Sequence, residues 1–187
     1  MSRRRALAAL PLVLLVVSLA ACTESTRIPP AEPPSATQPL FASDEEALEA
    51  ATAAYEGFLS VSGRILRDGG SKPERLKPFV SKDVYTSEAE GFATLASNGW
   101  RATGDSVLVE TQLQQHQSGP PGVAEVIAYV CVSVEGNDIV DRAGTSQVAA
   151  DRSVELTFEI VYMSNDEGDL LLERKTLWSE GSSCSLN

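Results

Sequence analysis

The feature that most limits the fold of this chain is a change of period. From Ser43 to Asn98 the large apolar side chains return at helical spacing. From Ser106 to Trp178 they alternate with polar ones. A helix places residues three and four apart on one face, and a strand places every second residue there. Ser43-Asp44-Glu45-Glu46 has the form of a capping box, with Ser43 as N-cap and Glu46 at the third helical position. Leu48, Ala51, Tyr55, Phe58, Ser62, Ile65 and Leu66 follow at helical spacing, so a helix is predicted over about 44–66. Asp68-Gly69-Gly70 ends it. Pro73 suits the first position of a short helical turn. A second helix is predicted over about 82–98, with Val84, Tyr85, Ala89, Phe92, Leu95 and Ala96 on its apolar face and Asn98-Gly99 as its stop.

Beyond Trp100 the pattern predicts long strands. Over 106–117, Val107, Val109, Thr111 and Leu113 alternate with Glu110, Gln112, Gln114 and His116, which reads as a half-buried strand with His116 facing solvent. Ser118-Gly119-Pro120-Pro121-Gly122 is a turn. The run 123–134 is apolar on both faces and reads as a central strand. A long loop is expected over about 136–152. Further strands are expected over about 154–162 and 169–179, separated by a turn at Asn165-Asp166-Glu167-Gly168. Helices followed by strands give an α+β fold: N-terminal helices packed on a curved, mainly antiparallel sheet of about four to five strands, forming a single domain over 43–187. With 43% hydrophobic residues the chain has the composition of a globular protein.

Upstream of that domain the sequence is of another kind. Arg3, Arg4 and Arg5 precede an apolar run from Ala6 to Ala20, and Leu19-Ala20-Ala21-Cys22 closes it. The run is short of the roughly 20 apolar residues a spanning helix needs. A positive start, a short apolar stretch and small residues before a cysteine resemble bacterial lipoprotein signal peptides. That resemblance implies cleavage between Ala21 and Cys22 and removal of residues 1–21. It also implies lipid on the Cys22 sulfur and attachment to the outer face of the cell membrane. The arginines fit the general secretory route and the twin-arginine route alike. Residues 22–42 then form the lipidated cysteine and a spacer, in which Pro29, Pro30, Pro33, Pro34 and Pro39 block helix and sheet.

The formal charge is −11. Loss of the three signal arginines and of no acid makes the mature chain −14. Such a surface disfavours nucleic acid and an anionic bilayer face as partners. With Cys22 lipidated, Cys131 and Cys184 remain as an even pair outside the cytoplasm, where disulfides persist. A bridge between them is expected, the other possibility being two buried thiols.

The order of helix 44–66, helix 82–98 and four long strands resembles the nuclear transport factor two-like, or ketosteroid-isomerase-like, cone, over about 43–180. That resemblance implies a curved sheet wrapped round the long N-terminal helix. Tyr129-Val130-Cys131-Val132-Ser133, the loop from Asp138 to Gly144, and Trp178 followed by Cys184 also resemble small actinobacterial lipoproteins. This implies the Cys131–Cys184 bridge and an envelope location, and no reaction.

The catalytic inventory is sparse. There is one histidine, no serine in a Gly-x-Ser-x-Gly elbow, no His/Cys set at zinc spacing, no calcium-loop spacing and no glycine-rich phosphate loop. Glu125, Glu155 and Glu159 read as a wet sheet face. Tyr55, Tyr129, Tyr162 and Trp178 are the candidates to line a cavity, or else are core aromatics. No metal or other cofactor is expected. The sequence favours a tethered, non-enzymatic binding or interaction module whose partner is an envelope protein or a small apolar ligand. The alternative is a cone-type isomerase, dehydratase or hydrolase with an ionisable group inside the cavity.

Overall fold

The computed structural model describes residues 39–178 and Cys184. The signal segment, Ala21, Cys22 and the spacer before Pro39 lie outside the described residues. The fold is α+β. Helix α1 (Asp44–Arg67) is followed by a 3-10 segment (Pro73–Phe79), helix α2 (Lys82–Asn98) and strands β1 (Arg101–Thr103), β2 (Val107–Gln117), β3 (Glu125–Ser133), β4 (Asp138–Val140), β5 (Glu155–Ser164) and β6 (Leu170–Leu177). The four long strands form one antiparallel sheet in the order β2-β3-β5-β6, and β1 pairs with β4 in a small second sheet.

Helix α1 starts where the capping box places it. The Ser43 hydroxyl accepts from the Glu46 N–H at 3.2 Å. The Glu46 carboxylate reaches back to the Ala42 N–H at 2.7 Å, one residue earlier than the box requires. Asp44, Glu45 and Glu46 lie in the first turn and Arg64 and Arg67 in the last, each favoured there by the helix dipole. The helix ends in glycines. Gly70 has φ +81°, and a Cβ there would collide with the Phe92 carbonyl, so the end of α1 rests directly on the α2 backbone. Helix α2 stops at Gly99, which has φ +69°.

The domain's packing begins before Ser43. The Leu40 N–H donates to the Gly119 carbonyl at 2.9 Å, and Phe41 is buried. The core lies between α1 and one face of the sheet. From the helix come Ala47, Ala51, Tyr55, Phe58, Val61 and Ile65. From the sheet come Val126, Ala128, Val130, Val132, Ile160, Tyr162 and Leu172.

Strand β2 departs from its expected alternation. Bulges fall between Leu108 and Glu110 and between Leu113 and Gln115, and each extra residue reverses which side chains face the core. Residues opposite one another in a sheet share a face, so Leu108, Thr111, Leu113 and His116 point to the helix side with Val132, Val130, Ala128 and Val126. Val107 and Val109, read from the sequence as inward, are 59% and 54% exposed. A bulge between Val161 and Tyr162 and their β6 partners does the same for Lys175, which lies opposite Ile160 and so faces the helices. The short strand β4 falls within the expected 136–152 loop, and its partner β1 lies between α2 and β2. Three residues are too few to display a period.

Candidate functional site

Among the described residues, four features carry chemistry. The first is at the helix–sheet interface. Lys175 on β6 reaches Glu88 on α2 at 2.7 Å, with both side chains about one-quarter exposed or less. Its Nζ lies 4.9 Å from the centre of the Phe58 ring and 5.5 Å from that of Phe158. An ammonium so placed draws stabilisation from both ring faces. Tyr55, whose ring centre is 5.5 Å from that of Phe58, and Tyr162 are both fully buried. Burial, and secondarily the negative charge of Glu88, pushes the Tyr55 phenol far above its ordinary value. Burial, and secondarily Tyr55, does the same to Tyr162. The Tyr162 hydroxyl has no hydrogen-bond partner among the described residues. A buried, unpaired hydroxyl costs about 1–3 kcal/mol. Tyr162→Phe keeps the ring and removes the orphan oxygen, so it is expected to raise unfolding stability by about 1 kcal/mol, read as a higher denaturant midpoint at unchanged slope. A fall of similar size would show that the hydroxyl has a partner.

The second feature is the outer face of the sheet. Tyr129 and Trp178 stack there, with ring centres 4.8 Å apart. The four aromatic candidates therefore do not share a cavity. Tyr55 and Tyr162 are sealed under α1, and Tyr129 and Trp178 sit on the opposite side. Cys131 is on that outer face and is bonded to Cys184, with the Cα atoms 5.4 Å apart. The Trp178 N–H donates to the Thr157 carbonyl at 2.8 Å, and the Cys184 N–H to the Glu155 carboxylate at 3.4 Å. Cys131, Thr157 and Val161 are buried on that face, so it is not the wet face that Glu125, Glu155 and Glu159 suggest.

The third feature runs along α1 and the outer edge of β2, which has no strand beside it among the described residues. A recess of about 400 Å³ is lined by Glu56, Leu59, Arg64, Arg67, Asp105 and Leu108, among others. A smaller one of about 190 Å³ continues past Leu48, Thr52 and Thr111. Arg67 pairs with Asp105 at one end. His116 lies beyond the other. Contrary to its expected outward position, its side chain is only 15% exposed. Its Nε2 lies 2.9 Å from the Asp44 carboxylate, and its ring meets Phe41 edge-on at 6.1 Å. The parity reversal after Leu113 turned it inward. Its contacts are those of a latch between β2 and the start of α1.

The fourth feature is a recess of about 410 Å³ in the β3–β5 connection, lined by Glu135, Asn137, Asp138, Val148, Ala150 and Arg152, among others. Gly104 packs against this connection, and a Cβ there would strike the Gly136 carbonyl.

Sequence reasoning missed Glu88, Lys175, Asn137 and Arg152. The inward turn of Lys175 depends on a bulge, which leaves no mark in the alternation. Asn137 and Arg152 meet only through the path of the loop. Among the described residues no group of three or more His, Cys, Asp and Glu side chains is placed to hold a metal ion. No helix among them is long and apolar enough to cross a membrane.

No family model matches the chain, and no curated protein matches it. Among solved structures, the intermembrane space region of the chloroplast protein ARC6 superposes with a TM-score of 0.52 at 14% identity, over 70% of this chain and 95% of that one. A periplasmic fragment of TraM gives 0.49 at 15% identity, over 69% and 95%. At such identity the likeness to ARC6 is one of fold alone.

Proposed function

We propose that this chain is a lipid-anchored extracytoplasmic module that works by binding, with Cys22 as its attachment point and its surface recesses as the recognition sites. The observation that carries the reading is the filled interior. Tyr55, Phe58, Ile65 and Tyr162 are at most 2% exposed and occupy the space between α1 and the sheet, where a cone-type enzyme needs an open hollow facing an ionisable group. Glu88 and Lys175 neutralise each other, and the two phenols are held protonated by burial. Among the described residues, the recess along β2 and the one in the β3–β5 connection are accessible. The paired Cys131 and Cys184 suit an oxidising compartment. The signal-like start and proline-rich spacer fit a domain held off a membrane by lipid.

Two measurements test the proposal on the full-length protein expressed in a bacterium. Mass analysis of the mature N-terminal peptide should show Cys22 first and carrying diacylglycerol. Affinity capture from solubilised envelope should retain a partner or ligand that survives washing. A chain that still carries residues 1–21 without lipid, or that turns over a small substrate with no stable complex, overturns the proposal.

A further inference from the structure

We infer that the open edge of β2 and the groove beside it bind an extended, basic segment of another polypeptide, which adds to the main sheet as a fifth strand. The inference rests on the binding role proposed above and names the partner's chemistry.

The two edges of the sheet differ. The β6 edge is guarded. It has Glu173, Arg174 and Lys175 among eight residues. Its backbone is also met from outside the sheet, where the Ser81 N–H donates to the Leu172 carbonyl at 3.0 Å and Val80 bridges to Leu172. Charge and cover of that kind keep an edge from pairing with another chain. The β2 edge has neither. Its 11 residues hold one acid, Glu110, and no lysine, arginine or proline. Among the described residues no backbone hydrogen bond from outside the sheet reaches it. A strand left so presents unpaired N–H and C=O groups, a template for a further strand. Its two bulges confine the regular register to Glu110–Leu113, so the added strand is short.

A groove runs beside that edge. The recesses of about 400 and 190 Å³ share Glu56 and Leu108, and so are continuous along α1. Leu48, Leu59 and Leu108 are its apolar lining. Strand edge and apolar groove together suit strand addition, in which main-chain hydrogen bonds give affinity and alternate side chains fill pockets.

Charge selects the occupant. Glu56 and Glu110 line the groove and form no ion pair among the described residues. Glu110 lies opposite Cys131 and so belongs to the outer face of the sheet, whereas Glu56 comes from α1. A strand laid along β2 therefore meets a carboxylate on each of its faces, and opposite charges placed across strands attract. Arg67 is taken up by Asp105, and Arg64 lines only the larger recess. The chain's net charge of −11 adds to the preference for a cation and opposes a second copy in the groove.

The test is a nuclear magnetic resonance titration of the full-length protein in detergent with the capped peptide Thr-Lys-Val-Thr-Val-Lys-Thr, up to about 2 mM. Two control peptides have glutamate for both lysines, or Pro-Pro for the central Val-Thr. The parent peptide should give saturable shifts in 107–113 and on the groove side of α1, and should slow amide exchange in 110–113. The glutamate peptide should bind at least about tenfold more weakly. The Pro-Pro peptide keeps both charges and loses two N–H donors, and should fail to slow exchange. Glu56→Lys, at an exposed helix position, should weaken the parent peptide about threefold or more. Glu74→Lys makes the same charge change on the 3-10 segment and should alter binding by less than about twofold. No saturable shift, equal binding of the glutamate peptide, or equal protection by the Pro-Pro peptide overturns the inference. Protection of 110–113 in the free chain that is lost in Arg27→Glu would give the groove to the chain's own spacer, and protection that rises with protein concentration would give it to a second copy. Either overturns it. Capture of an envelope partner by Glu56→Lys as efficiently as by the parent chain, with no peptide shifts in either, would remove this inference and leave the binding role standing.

Discussion

Replacing Cys184 by serine is expected to lower the thermal midpoint of the oxidised protein by roughly 10 °C. The bridge joins residues 53 apart. A cross-link of that length removes chain entropy from the unfolded state equivalent to about 4 kcal/mol, an upper figure in that treatment. Reduction of the parent chain should reproduce the loss. The variant should also leave Trp178 more exposed to solvent and to fluorescence quenchers, because Cys184 is bonded to the face where Trp178 stacks on Tyr129. Cys22→Ser should leave the midpoint where it was. A Cys184→Ser protein that melts with the parent would show that the bridge is absent or that the tail adds nothing to the fold.

Phe58→Ala is expected to cost about 3–5 kcal/mol, the range for an aromatic ring removed from a closed core. Phe58 is 2% exposed. It packs against Tyr55 with ring centres 5.5 Å apart, and it is one of the two rings beneath Lys175. The substitution therefore opens a cavity and strips one face of support from a half-buried ammonium. Chemical denaturation followed by far-ultraviolet circular dichroism measures the loss. A loss below about 1 kcal/mol would mean that α1 does not seal the sheet, and would reopen the enzymatic alternative, which requires a hollow there.

The two helices and the four long strands were legible because each is long enough to show several cycles of its period. The start of α1 was legible for a local reason, since Ser43 and Glu46 satisfy backbone groups within one turn of themselves. The faces of β2 and β6 were not. A bulge is one extra residue whose presence depends on the partner strand, and one residue reverses every assignment after it. That is why Val107 was expected inside and His116 outside. The pairing of Cys131 with Cys184 came from counting cysteines, and an even pair needs no geometry. The Arg152–Asn137 recess had no such signal. Its residues meet because Arg152 turns back onto the carbonyls of Val134 and Asn137, a long-range closure that no spacing records.

The point where the chain enters the domain has a directional consequence. Leu40 bonds to Gly119 and approaches Gly168, so entry is at the end of the sheet that carries the β2–β3 and β5–β6 turns. The β3–β5 connection is at the other end, about 30 Å away along the nine residues of β3. Any pull exerted through the residues before Pro39 thus acts at one pole, and Arg152 and Asn137 sit at the other. Tension entering there loads the β2–β3 and β5–β6 turns first and reaches the β3–β5 connection only through the length of the sheet.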